Sequence, residues 1–361
     1  MSMWNVNARI QRLDTRDRRI IAVSDIHANM PYFRGLLEKV NFSERDELII
    51  DGDFLEKGQN SLEMLRFIMK LSERGNCHAV CGNCDTWGDV IGAERRYWDK
   101  RIVQYMLSKH GGLVWDMLTE LGVEITPELD FESLIPELSA HFKPEWDFLT
   151  ALPHVIETPH YIFVHGGIRP DMPIERQRGG DCMKFDDFMD CGFSFDRWVI
   201  VGHWPVMLYL TDHVCANPII DREKHVISID GGCSLKDDGQ LNALIIPFEG
   251  SEDFSFEAYD SFPVRRVKTT QHGSKRSYYI RWGDNDVQVL RRGKEFSLVR
   301  HIRTGYEMEI LTKYLYSDEE FCKCNDSTDL VLELKPGDEV ILSNTRARRA
   351  GIGESLYDRR S

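Results

Sequence analysis

Short apolar runs that end in an acid, a histidine or a glycine recur along this chain, and the stretches between them carry a different period. RRIIAVSD (18–25) is a β-branched run closing on an acid, and PYFRGLLEKVN (31–41) after it places apolar residues at helical spacing. The succession returns with DELIIDGD (46–53) before SLEMLRFIMKLSERG (61–75), and NCHAVCGN (76–83) begins a third round. Strand, loop and helix in that order predict parallel βαβ units, with chemistry beyond the C-terminal ends of the strands.

From 86 to about 152 the pattern becomes helical and rich in aromatic and charged residues, which predicts a helical insertion walling one side of a site. Strand signals resume in HYIFVHGG (160–167), RWVIVGHW (197–204), HVISIDGG (225–232) and LNALIIPF (241–248). These predict a second sheet, and so an α/β fold in which two sheets are flanked by helices. The stretch 261–277 lacks periodicity and reads as a linker. Beyond it, from 278 to 361, short alternating runs such as VQVLRRG and DEVILS predict a small β-rich, barrel-like domain, appended to a catalytic domain over 1–260.

Length and composition agree with that division. A chain of 361 residues exceeds one ordinary core, and 42% hydrophobic with 29% charged residues is the make-up of a folded protein. No apolar stretch is long enough for a membrane span and the N-terminus lacks a signal-like core, so a cytoplasmic protein without a membrane partner is expected. The net charge of −14 divides into −18 over the first 264 residues and +4 beyond them, which argues against extended nucleic acid as a partner of the catalytic part. The C-terminal part is mildly basic, and its arginine-rich ends (RRVK, and RARRAGIGESLYDRRS from 346) could meet anionic partners. Nine scattered cysteines read as reduced thiols, without the spaced second pair of a zinc ribbon. The oligomeric state is not legible.

The candidate chemistry lies where strands end: Asp25-Ile26-His27, Gly52-Asp53, Gly82-Asn83, His165-Gly166-Gly167 and Gly202-His203. Each motif alone is common. Together they supply carboxylate, imidazole and amide-oxygen donors at adjoining strand ends, a set able to enclose two divalent ions.

SDIHAN, GDFLEKG, GNCD, FVHGGIRP and VGHW resemble the signature blocks of the calcineurin-like metallophosphoesterases, particularly the phosphoprotein-phosphatase branch and the symmetrical diadenosine tetraphosphatases. The resemblance spans about residues 18–245. It implies a four-layer αββα sandwich and a metal-dependent phosphoric ester hydrolase in which a metal-bridging hydroxide attacks phosphorus. By the same resemblance Asp25 and His27 hold a first metal, Asp53 bridges, and Asn83, His165 and His203 hold a second. Mn2+ is the first expectation for both, with Fe/Zn combinations behind it.

Two blocks depart from the family's usual form. GDFLEKG puts Lys57 where an arginine would grip phosphate and Glu56 where an aspartate would orient the acid; a lysine keeps the charge and loses the fork. GNCD puts Cys84 where a general-acid histidine usually stands, and a thiol is the poorer proton donor. Cys84, Asp85 and Glu56 are the candidate proton donors, and Lys57 and Arg169 the candidate phosphate contacts. The expected partner is a phosphorylated substrate, phosphoprotein or nucleotide. The competing readings are a nucleotide or phosphodiester hydrolase, to which GNCD points, and a catalytically weak metal-binding scaffold.

Overall fold

The computed structural model describes residues 3–15, 17–91, 99–342 and 356–357. Most of the arginine-rich segment from 346 onward therefore lies outside the described residues. The chain packs as two compact units, Met1–Val206 with Ala216–Asp260, and Met207–Cys215 with Ser261–Ser361.

The first unit is built on two sheets. Its strands are β1 (Ile10–Arg12), β2 (Arg19–Val23), β3 (Asp46–Asp51), β4 (Cys77–Val80), β5 (Val155–Glu157), β6 (Tyr161–Phe163), β7 (Trp198–Val201), β8 (Ile219–Asp221), β9 (Val226–Ser228), β10 (Leu241–Ile246) and β11 (Ser255–Tyr259). One sheet has the order β11-β10-β2-β3-β4, the other β1-β5-β6-β7-β9-β8. β2, β3 and β4 pair in parallel, as do β6, β7 and β9, so the ends that precede the motifs point the same way within each sheet.

The two-residue period of a strand sends alternate side chains to opposite faces. Ile20 and Ala22 of β2 therefore join Ile49, Ile156, Phe163, Trp198, Ile200 and Ile227 in a core between the sheets. Ile21 and Val23 face the other way, with Leu48 and Ile50, into a core shared with helices α1 (Met30–Lys39) and α2 (Ser61–Ser72). Helix α1 starts after Asn29, whose side chain accepts the Tyr32 N–H, and Pro31 sits in its first turn, where a missing N–H costs nothing. The stretch expected to be a helical insertion carries helices Trp87–Ile91, Asp99–Lys109, Leu113–Glu120, Phe131–His141 and Lys143–Ala151.

The run LNALIIPF does not join the second sheet as its position suggested. β10 returns to the first, antiparallel to β2, where almost every residue of it is buried. β1 had no alternating signal, being only three residues long; it is defined by its parallel pairing with β5.

In the second unit, β12 (Val264–Arg266) pairs with β19 (Glu339–Leu342), so the segment expected to be a linker carries a strand. β13 (Tyr279–Ile280) pairs with β18 (Ser327–Thr328), and β14 (Asp286–Arg291), β15 (Phe296–His301), β16 (Glu307–Leu311) and β17 (Phe321–Lys323) make a four-stranded antiparallel sheet. Among the described residues these strands do not close into the expected barrel. They are two to six residues long, and the ladder between β14 and β15 slips at Val289/Arg291, so pairing stops before it can run around a wall. A small core of Ile280, Val287, Val299, Met308, Ile310 and Cys324 holds the unit, and Tyr279 N–H bonds to Thr211 O to tie the segment Met207–Cys215 to it.

Candidate metal centre

Each candidate ligand lies just past a strand end: Asp25 and His27 after β2, Asp53 after β3, Asn83 after β4, His165 after β6 and His203 after β7. The backbone turns sharply there. Asp25, His27, Asp53 and His203 hold left-handed φ values of 52°, 49°, 49° and 66°. Such angles cost a non-glycine residue on the order of 1 kcal/mol or more and persist only where the surroundings over-determine them. Hydrogen bonds do so here, from Asp25 N–H to Gly52 O and from His27 N–H to Asp53 O, both 3.0 Å. Gly82 and Gly202 are required by close approach: an added Cβ would lie 2.2 Å from Asp53 Oδ1 and 2.5 Å from Asp25 Oδ2.

Two donor groups result. One atom each from His27, Asp53 and Cys84 lie within 4.8 Å of one another, and so do one atom each from Asp53, His165 and His203. Asp53 belongs to both. Asp25 adjoins them, with Oδ1 3.7 Å from His27 Nε2 and Oδ2 accepting the His203 N–H at 2.9 Å.

The hydrogen bonds behind the rings decide which nitrogen faces the centre. With Nδ1 protonated, His27 donates to Leu55 O (3.2 Å) and His165 to Asp51 O (2.8 Å), which leaves Nε2 of each as a donor to a metal. His203 is reversed, since its Nε2 pairs with Asp186 Oδ1 at 2.8 Å and leaves Nδ1 inward. Asn83 Oδ1 is enclosed and has no hydrogen-bond partner among the described residues, and His165 Nε2, enclosed too, faces Asp53 Oδ1 at 3.3 Å. Buried polar atoms rarely stay unpaired, so Asn83 Oδ1 fits the role of metal ligand, as does His165 Nε2 beside Asp53.

The electrostatics point the same way. Asp25, Asp51, Asp53, Asp85 and Asp230 are buried together, and the positive partner common to all five is one imidazole, His165. Burial pushes Asp51 up to about 8, burial and the Asp53 charge push Asp85 up to about 8, and burial pushes Asp230 up to about 7. Burial also drives Asp25 well above the ordinary range, with Asp230 adding to it. Burial opposes ionisation of Asp53 too, but His165 beside it holds that carboxyl well below its usual value. Burial would lower His165, and Asp53 and Asp25 instead raise it well above normal. Burial, with His165 beside it, lowers His203 to about 4. Acids therefore outnumber the cations that the protein supplies here, a balance that divalent ions would redress.

The remaining sequence candidates divide by geometry. Asp85 accepts N–H bonds from Asp53 (2.8 Å) and Gly82 (2.9 Å) on Oδ2 and from Leu55 (3.1 Å) on Oδ1. Glu56 accepts from Tyr105 OH (2.9 Å) and from Leu113 N–H (2.8 Å), which ties its loop to the insertion. Lys57 is exposed, and its charge is felt by His27, Glu56 and Cys84. Arg169 faces Asp181 at 3.5 Å and lies over the Phe185 ring. Cys84 borders the centre directly. Asp186 and Asp230 were not singled out from sequence. Asp230 lay visible at the end of the β9 run, whereas Asp186 sits in irregular backbone with no period to mark it.

A family model described as calcineurin-like phosphoesterase matches residues 18–227. A symmetrical bis(5'-nucleosyl)-tetraphosphatase from Glaesserella parasuis serovar 5 is 42% identical over 64 residues, 18% of this chain and 23% of that protein. The protein of the same description from Shewanella oneidensis is 28% identical over 180 residues, 48% of this chain and 54% of its own length. The chain thus spans about a quarter to about half the length of the curated relatives it matches. Among solved structures, a proposed diadenosine tetraphosphatase aligns with a TM-score of 0.45 at 20% identity, covering 70% of this chain and 99% of that one.

Proposed function

Because this chain belongs to the calcineurin-like phosphoesterase family, we propose that it is a metal-dependent phosphoric ester hydrolase, working at one end of an αββα sandwich. The observation that carries the reading is the pair of donor groups that share Asp53. A carboxylate offers two oxygens and can serve two ions. Asp25 and His27 would hold one ion with Asp53, and Asn83, His165 and His203 the other. Such a pair, when bound, polarises a phosphoryl group and makes water nucleophilic near neutral pH. Mn2+ is the first candidate for both positions, with Fe/Zn as the alternative that metal analysis would separate.

The protein's own residues supply the rest. Asp85 holds the Asp53 and Gly82 turns through three backbone N–H groups, so it acts as a positioning residue. Glu56 does the same between its loop and the helix that starts at Leu113. Lys57, exposed beside the centre, is the cation placed to meet phosphoryl oxygens. Arg169 would first have to leave Asp181.

With Asp85 and Glu56 engaged in this way, neither carboxyl is free to protonate a basic leaving group. That favours substrates whose leaving group is already a weak base, such as the phosphate end of a nucleotide polyphosphate, the substrate class in the names of the tetraphosphatase relatives. No helix of the described residues is long and apolar enough to cross a membrane, which agrees with a cytoplasmic location. The second unit we assign as a small β-rich domain outside the chemistry. A panel of p-nitrophenyl phosphate, bis-p-nitrophenyl phosphate, a phosphopeptide and diadenosine tetraphosphate, each with Mn2+, tests the reading. Turnover of none of them by metal-loaded protein would leave a metal-binding scaffold.

A further inference from the structure

We propose that Cys84 is itself a metal ligand, joining His27 and Asp53 around the first ion, and that this position therefore selects a thiophilic ion such as Zn2+, Fe2+ or Co2+ in place of the Mn2+ first assigned to it. The inference rests on the two-ion reading above and adds a donor that the family resemblance does not supply.

The Cys84 sulphur, a His27 ring nitrogen and an Asp53 carboxylate oxygen lie within 4.8 Å of one another. Donors around one ion, each roughly 2.0–2.3 Å from it, lie roughly 3–4.5 Å apart, within that limit. Cys84 is not a loose surface thiol. It sits in the middle of the short turn Asn83–Asp85, its own N–H donates to Asp53 Oδ1 at 2.7 Å, and Asp85 fixes the turn through Gly82 N–H. The sulphur itself accepts a hydrogen bond, from the Asn83 side-chain amide at 3.3 Å. Cys81 and Cys191, by contrast, donate to backbone carbonyls. The bond from Asn83 also turns the amide so that its Oδ1, enclosed and without a hydrogen-bond partner among the described residues, is the atom left for the second ion. One side-chain contact thus orients two donors at once.

A soft thiolate beside one imidazole and one carboxylate suits zinc, ferrous iron or cobalt, whereas manganese prefers oxygen donors. The consequence reaches the substrate. A sulphur committed to a metal donates no proton, and Asp85 and Glu56 are engaged elsewhere, so the bond broken must release a weakly basic phosphate oxygen, as in a phosphoanhydride.

The test is Co2+ loading of the full chain, read by absorption. A sulphur-to-cobalt charge-transfer band in the near ultraviolet is expected, which Cys84→Ser removes while the visible cobalt bands persist, and which Cys191→Ser leaves in place. In competition between Zn2+ and Mn2+, Cys84→Ser should lower the preference for zinc about tenfold or more. Cobalt bound without the band, or a band that survives Cys84→Ser, overturns Cys84 as a ligand and leaves the two-ion reading standing. No cobalt bound by the unaltered chain overturns both.

Discussion

Asp53 is buried and Asp284 half-buried, and the two carboxyls are served in opposite ways. Asp284, in the second unit, takes a forked pair of bonds from Arg303 and a bond from Tyr278 OH at 3.2 Å, with the Arg281 guanidinium at 3.7 Å and the His301 ring at 3.2 Å. Arg303 holds its carboxyl below the usual range against the cost of partial burial. Asp53 sits among four further acids, and what lowers it against burial is His165 first, then the His27 ring and the Cys84 N–H. A carboxylate kept for architecture brings its own cations. Asp53, which we propose serves metal ions, is left short of them, on backbone held at a left-handed angle. The balance of acids against cations separates the two sites.

The largest expected effect is at Asp53. Asp53→Asn should lower kcat/KM by roughly 10³-fold or more, the scale of losing a principal electrostatic group, in a steady-state assay at saturating metal. Retained activity would break the contrast at its centre. Next is Asp186, which orients His203 from behind. Asp186→Asn should weaken metal binding by about 10–100-fold in a calorimetric titration, with folding intact, and unchanged affinity would remove Asp186 from the site. Asp85→Asn, which replaces an oxygen facing backbone N–H by a competing donor, should cost about 1–3 kcal/mol in denaturant unfolding and also loosen the metals.

The smallest effect on activity should come from the other side of the comparison. Asp284→Asn should leave metal affinity and turnover unchanged while altering the acid stability of the second unit. The sign follows from its depressed carboxyl. Stability from Asp284 is fully present above the ordinary aspartate value, near 4, and is lost as pH falls through its lower folded-state value. The variant should therefore show a flatter stability profile in that acidic window, measured by unfolding at a series of pH values. A loss of metal affinity on changing Asp284 would erase the distinction between the two acids.

The six candidate ligands were legible because parallel strands put their ends together, and an apolar run that closes on Asp, Asn or His announces such an end. The βαβ units and the helices of 86–152 were legible for the same reason, since hydrophobic period survives in a single sequence. What lay beyond it depended on partners distant in the chain. Asp186 has meaning only through His203 Nε2, and β10 turned to the first sheet because the edge beside β2 was open to it. The occupation of Asp85 and Glu56 by backbone N–H groups, likewise, could not be read from GNCD or GDFLEKG. In the second unit, alternation marked strands correctly as strands but carried no information on closure, and the residues at 261–277 hid a strand whose partner lies near 340.

The central claim is that Asp53 is shared by two ions, and metal stoichiometry tests it most directly. Metal-stripped full chain reloaded with Mn2+ or Zn2+ and analysed by inductively coupled plasma spectrometry should bind two ions per chain, and Asp53→Asn should lose both together. A single ion in the unaltered chain, or two ions still bound by Asp53→Asn, would contradict it.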